Sequence, residues 1–279
     1  MIAEIVRIAE EAGRRISAIY ESQQIDVVKK PDDSPLTSAD IAAQETILAG
    51  LRALGDIPVL SEESPVPDFA VRKEWRLLWL VDPLDGTREF ISRNGEFTVN
   101  IALVEEGRPI MGVVHAPVLS TTYWAQRGCG AFVARAGGEL QRIGVREDAG
   151  RLTLAASRSH AGEALPRFLE RLGSHEVRYM GSSLKVCLVA EGTAQLYPRL
   201  GPTFEWDTAA AHCVVAEAGG LMCDFRGEEL LYNKEELRNP WCFAAATERE
   251  RSAALAAFAS AYIDGEPPGP QALASRSKH

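Results

Sequence analysis

RLLWLVDPLDGT, residues 76–87, joins a near-continuous apolar run to two aspartates and a glycine. Such a run, bounded by turn residues, reads as a strand buried on both faces. Asp82 and Asp85 stand three residues apart on the turn that follows. Pro83 stiffens that turn, and Gly86 lets backbone approach a ligand closely. Two carboxylates on a turn at the end of a buried strand can converge on one point. Upstream, Pro58-Val59-Leu60 leads into Ser61-Glu62-Glu63, a short strand ending in acid. Downstream, Asp207 opens an expected helix over 207–218 in Trp206-Asp207-Thr208-Ala209-Ala210, where it also suits an N-cap. Glu62, Asp82, Asp85 and Asp207 therefore all sit where a strand ends or a helix begins. Carboxylate and carbonyl oxygens suit Mg²⁺, which keeps waters for a substrate phosphate.

Around this segment the hydrophobic period changes along the chain. Residues 1–24 read as an amphipathic helix, and KKPDDSPLTS as a turn-rich connection. Thr37, with Asp40 three residues later, reads as the cap of a helix over about 40–54. Its inward face is expected to be Ile41, Ile47, Leu48, Leu51 and Leu54. Residues 98–104 and 109–114 read as a hairpin, followed by short strands at 123–126, 131–134 and 140–143. After Gly144 strands and helices alternate, the α/β pattern. The expected organisation is an α+β metal-binding half over 1–148, an α/β substrate-binding half over 149–263, and a disordered Pro/Gly/Ser-rich tail over 264–279.

Composition bounds the function. The 279 residues are 46% hydrophobic and 25% charged, which is ordinary for a globular protein and long enough to bury a core. A net charge of −9 argues against general binding to nucleic acid or anionic membranes. No apolar run reaches the ~18–20 residues of a spanning helix. The five cysteines are scattered without a CxxC pair, which fits reduced thiols in a cytoplasmic protein. The five histidines show no zinc spacing.

Gly181-Ser182-Ser183-Leu184-Lys185 follows a strand and opens a helix. Taken by its residues, it is either a serine cap with an exposed lysine or an anion cradle of hydroxyls, N–H groups and an ammonium. His160 follows an expected strand at its carboxyl end, the edge where open α/β sheets bind ligands. Arg199 carries a planar fork that matches a phosphate. Arg88, Lys29 and Lys30 are further basic candidates. His115, His175 and His212 read as structural.

The motifs PDDSPLTSADIAAQ (31–44), PVLSEES (58–64), WLVDPLDGTREFISRNGEFTVNIALVEEG (79–107), GVVHAPV (112–118), ASRSH (156–160) and GSSLKVCLVAEGTAQLYPRLGPTFEWDTAA (181–210) carry a resemblance. Together they resemble the lithium-sensitive, Mg²⁺-dependent phosphatase superfamily of inositol monophosphatase and fructose-1,6-bisphosphatase. The closer likeness is to its CysQ-type 3′(2′),5′-bisphosphate nucleotidases. That resemblance implies a layered αβαβα sandwich and a phosphomonoester hydrolase that uses two or three Mg²⁺ ions. It implies Glu62, Asp82, the Leu84 carbonyl and Asp85 as metal ligands, with Asp207 closing a second metal site. Asp40 and Thr87 then orient and deprotonate the attacking water, with Glu62 also counted as catalytic. Leu84, Asp85, Gly86 and Thr87 contact the cleaved phosphate, and His160, Ser182, Lys185, Arg199 and Asp207 contact the nucleotide. The implied reaction converts adenosine 3′,5′-bisphosphate to AMP and phosphate. Inositol monophosphate or fructose 1,6-bisphosphate is the alternative substrate, and a non-catalytic nucleotide-binding regulator is the reading from another class. Peripheral association with the inner membrane comes from the resemblance alone.

Overall fold

The apolar run of residues 77–81 packs in both directions from its strand. Leu78 and Leu80 face one side and Trp79 and Val81 the other, and all four are buried. The computed structural model of the chain describes residues 1–22, 27–29, 35–147, 150–157 and 164–262. Among the described residues, β3 (Val59–Ser61), β4 (Leu77–Asp85), β5 (Thr98–Glu105), β6 (Arg108–Ala116), β7 (Thr121–Gln126), β8 (Gly130–Arg135) and β9 (Gln141–Ile143) form one sheet in that order. β3 and β4 run parallel, and the other neighbours are antiparallel. A second sheet has the order β11 (His175–Tyr179), β10 (Leu152–Ala156), β12 (Leu196–Arg199), β14 (Cys242–Ala245) and β13 (Leu221–Asp224). β10 runs parallel to β11 and β12, and β14 runs antiparallel to its two neighbours. A short ribbon pairs β1 (Val27–Lys29) with β2 (Pro35–Thr37), so that β2 and the end of β1 fall in the segment over 29–38 expected to be only a connection.

Helices fill the remaining layers. α1 (Ile2–Glu21) and α2 (Ser38–Arg52) cover the Trp79 face of the larger sheet through Ile5, Ile8, Ile16, Ala43, Ile47 and Leu51. Each fully buried side chain of this size contributes about 1.5–3 kcal/mol. α6 (Leu184–Ala190) and α7 (Glu205–Glu217) lie between the two sheets, against Leu80 and Val114 on one side and Met222 and Ala244 on the other. α7 is buried along nearly its whole length, including Trp206 and residues 208–215. A helix held between two sheets has no wet face and so shows no amphipathic stripe. α5 (Ala164–Leu172) and α8 (Glu248–Ala261) cover the far side of the second sheet through Phe168 and Ala254, over Leu154 and Phe243. The short α3 (Phe69–Arg72) and α4 (Thr87–Ile91) sit at the ends of strands. The layers therefore run αβαβα, as expected.

Close packing dictates one glycine here. A Cβ on Gly112 of β6 would lie 2.3 Å from the Ala210 carbonyl oxygen of α7, so helix and strand approach closely only without a side chain.

One expectation about α2 fails in detail. Ile41 is 48% exposed, while Leu48 and Leu54 are half-buried. The helix starts at Ser38, its Thr37 hydroxyl accepting the Ala39 N–H, so the stripe facing the sheet is Ala39, Ala43, Ile47 and Leu51. Ile41 lies about 200° round the axis from Ala39 and points away. Cys187, Cys213, Cys223 and Cys242 are buried and Cys129 is exposed, all as free thiols. His160, Lys30 and the tail over 264–279 lie outside the described residues, as does the Lys29 side chain.

Candidate active site

β4 does not end at Val81 but continues through the aspartates. Asp82 pairs with Asn100 and Asp85 with Thr98, so β4 carries one extra residue between those pairs. This bulge re-aims the side chains at the strand's end. The Asp82 side chain accepts the Leu84 N–H at 3.0 Å, which fixes the turn. Gly86 has a left-handed φ of 94°, and Thr87 opens α4. Left-handed backbone at this point suits glycine and strains other residues. The Thr87 hydroxyl donates to the Leu84 carbonyl at 3.4 Å.

Two other elements bring acids to the same place. The Glu62 N–H donates to the Val81 carbonyl at 3.1 Å, so the parallel β3–β4 pairing sets Glu62 beside Asp82. Asp207, in the first turn of α7, accepts the Phe204 N–H at 3.0 Å. One carboxylate oxygen from each of Glu62, Asp82 and Asp207 lies within 4.8 Å of the others. Burial, followed by the charges of Glu62, Asp85, Asp207 and Asp40, pushes the Asp82 carboxyl well above the usual carboxylate range. Burial, Asp85 and Glu62 do the same to Asp207. Crowded, desolvated acids of one sign resist ionising together, and a cation among them removes that penalty. The donors are all oxygen, which fits a hard divalent cation. Asp40 is buried, and its Oδ2 accepts the Thr37 N–H at 2.8 Å and the Thr37 hydroxyl at 2.6 Å.

A cavity of about 270 Å³ opens at this cluster. Glu62, Asp82, Leu84, Asp85, Gly86, Thr87, Arg88, Ser182, Lys185, Arg199 and Asp207 line it, which brings together most of the candidates from sequence. Asp40 does not line it but contributes to the field at Asp82. Lys185 is 4% exposed, and its Nζ donates to the Ser182 carbonyl at 2.5 Å and lies 5.5 Å from the Tyr197 ring centre. Burial first, then the Arg199 guanidinium, pull Lys185 down to about 8, while Asp85, Glu89 and Glu96 pull it back up. The Arg199 Nε is buried with no hydrogen-bond partner among the described residues, and its Nη2 donates to the Pro202 carbonyl at 2.8 Å. A buried lysine beside a half-buried arginine whose Nε is orphaned makes this wall suited to an anion.

Sequence reasoning missed several residues here. Tyr197 and Phe204 also line the cavity, and Phe204 stacks on Trp206 with ring centres 5.1 Å apart. Thr98 and Asn100 are buried polar residues on one face of the otherwise apolar β5. Two polar residues at the same parity in FTVNIALV are the signal that could have found them.

Carboxylates gathered in one cavity beside a cationic wall suit a phosphatase that could hold a metal ion, and the sequence places the chain in a phosphatase family. The profile of the inositol monophosphatase family matches residues 1–261, and the chain belongs to that family. Among its relatives are two proteins named 3′(2′),5′-bisphosphate nucleotidase CysQ. The one from Escherichia coli (strain K12) is 52% identical over 243 residues, 86% of this chain and 97% of that protein. The one from Salmonella typhimurium is 51% identical over the same shares. The crystal structure of CysQ from Bacteroides thetaiotaomicron superposes with a TM-score of 0.80 at 43% identity, covering 88% of this chain and 96% of that one. An inositol monophosphatase from Thermotoga maritima gives 0.76 at 26% identity, covering 92% and 95%.

Proposed function

We propose that this chain hydrolyses adenosine 3′,5′-bisphosphate to AMP and inorganic phosphate. The observation that carries this reading is the pairing, in one cavity, of a carboxylate cluster with the buried Lys185 and the half-buried Arg199. A substrate with two phosphates suits both walls at once. The similarity to proteins named as bisphosphate nucleotidases supports the same choice.

Glu62, Asp82, Asp85 and Asp207, with the Leu84 carbonyl, are proposed to hold two or three Mg²⁺ ions. When bound, such ions neutralise the phosphate and make water a stronger acid. Asp40 and Thr87 are proposed to orient the attacking water, with Glu62 in the proton path. Gly86 and Thr87 present backbone N–H groups to the phosphate being cleaved. One water is consumed: its hydroxyl goes to phosphorus and its remaining proton ends on the ribose 3′ oxygen. Lys185 and Arg199 are proposed to seat the 5′-phosphate, with Asp207 near the ribose; His160 and Ser182 keep their proposed part in seating the nucleoside. We place the protein in the cytoplasm on its five unpaired cysteines.

The test is phosphate release from adenosine 3′,5′-bisphosphate, inositol 1-phosphate and fructose 1,6-bisphosphate, each with and without Mg²⁺. The bisphosphate nucleotide is expected to give the highest kcat/KM, and only with the ion. A higher value for either sugar phosphate overturns the substrate assignment.

A further inference from the structure

We propose that Thr98 and Asn100 are positioning residues that tie metal binding to substrate seating, by locking the Ser182–Ser183 turn onto one oxygen of Asp85. This rests on the reading of the cavity as a bisphosphate site. The β4 bulge makes Thr98 and Asn100 the cross-strand partners of Asp85 and Asp82. Asp85 Oδ2 accepts the Ser183 N–H at 2.7 Å, the Ser183 hydroxyl at 2.9 Å and the Ser182 hydroxyl. Asn100 Nδ2 donates to Ser183 Oγ at 2.9 Å and reaches Asp85 Oδ2 at 3.5 Å. The Thr98 hydroxyl meets the Ser182 hydroxyl and lies 3.0 Å from Asn100 Oδ1. Ser183 Oγ also reaches the Asp207 carbonyl at 2.7 Å, which carries the network into α7.

Every hydrogen bond described for the Asp85 carboxylate falls on Oδ2. A carboxylate whose one oxygen is saturated with donors keeps a fixed plane, and Oδ1 is left for a cation. The same bonds hold Ser182 at a φ of 52°, a left-handed conformation that a serine keeps only when its surroundings impose it. The Ser182 carbonyl in turn receives the Lys185 ammonium. An anion on Lys185 therefore steadies the turn, the turn steadies Asp85, and Asp85 meets the ion already oriented. Ordering that one ligand has completed is not required again of the other, so each strengthens the other's binding by the same factor.

The probe for the cationic wall is AMP, which keeps the 5′-phosphate and lacks the group to be cleaved. Calorimetric titrations give the Kd of Mg²⁺ with and without AMP, and of AMP with and without Mg²⁺. In the parent protein the two ligands are expected to strengthen each other roughly tenfold. Thr98→Val keeps the shape and removes the hydroxyl. It is expected to leave the Mg²⁺ Kd without AMP within about threefold and to cut the mutual gain to less than threefold. Thr98→Ser is expected to restore the gain. If Thr98→Val does not fold by circular dichroism, Asn100→Ser removes the same link from its other end and is read the same way. A parent protein that hydrolyses the bisphosphate and binds AMP but shows no coupling overturns the proposal. So does a folded Thr98→Val that keeps the parent coupling, whatever its melting temperature. A parent protein that neither binds AMP nor hydrolyses the bisphosphate overturns the functional reading instead.

Discussion

Glu62, Asp82 and Asp207 reach the cavity from the end of β3, from β4 and from the start of α7, whereas Lys185 and Arg199 reach it from α6 and β12. Both walls crowd charges of one sign into a buried place, yet they relieve the crowding differently. The acids can take up protons, as the rise at Asp82 and Asp207 indicates. On the cationic wall only Lys185 can yield, because a guanidinium stays charged at any ordinary pH. The acid wall can therefore be relieved by protons or by a cation, and the basic wall by an anion or by loss of the Lys185 proton.

Four measurements separate the two walls, in descending order of effect. Asp82→Asn removes a charge from the acid wall and is expected to lower kcat/KM by on the order of 10³-fold or more, on all substrates alike. Parent rates in millimolar Mg²⁺ would remove the metal role from this wall. Lys185→Ala is expected to cost about 10- to 150-fold in kcat/KM on the bisphosphate, the worth of a charge-assisted hydrogen bond, and mostly through KM. The loss is expected to be smaller on inositol 1-phosphate, which lacks a second phosphate; equal losses would erase the distinction between the walls.

The pH dependence is the third. Burial lowers Lys185, so its charged form is full below about pH 8 and is lost as pH rises through that value. The kcat/KM for the bisphosphate is expected to fall above about pH 8, by no more than about tenfold per pH unit. A bound phosphate favours the charged lysine, so the fall in kcat starts at higher pH. Lys185→Arg is expected to flatten the fall, and a fall that persists in that variant assigns it to another group. Tyr197→Phe gives the smallest change. Burial lifts the Tyr197 phenol to about 12, so it is neutral throughout and offers only a hydroxyl. Its loss is expected to raise KM about 2- to 10-fold without moving the Lys185 limb.

The two walls also differ in how far they could be read from sequence. The acids stand at element boundaries among Pro and Gly, where a carboxylate has no packing role, so Glu62, Asp82, Asp85 and Asp207 stand out. Lys185 looked like a surface residue by type, and only the fold shows it buried against Tyr197. Thr98 and Asn100 were hidden for a related reason: β5 is buried from Thr98 to Val104, and hydropathy averages over the two polar residues. The α+β first half and the α/β second half were legible because β4 is apolar on both faces and the second half alternates, whereas the αβαβα layer order came from the resemblance alone. The inward face of α2 was misjudged at Ile41 because small residues, Ala39 and Ala43, form its contact stripe.

Gly112 bears on how this protein tolerates genetic change. It touches no charge of the cavity, yet its bare Cα sets how near α7 can come to β6. Replacing it with alanine displaces Ala210, and Asp207 lies one helical turn away on the same rod. In a library of random variants, position 112 is expected to score with the carboxylates and not with the structural glycines of surface turns.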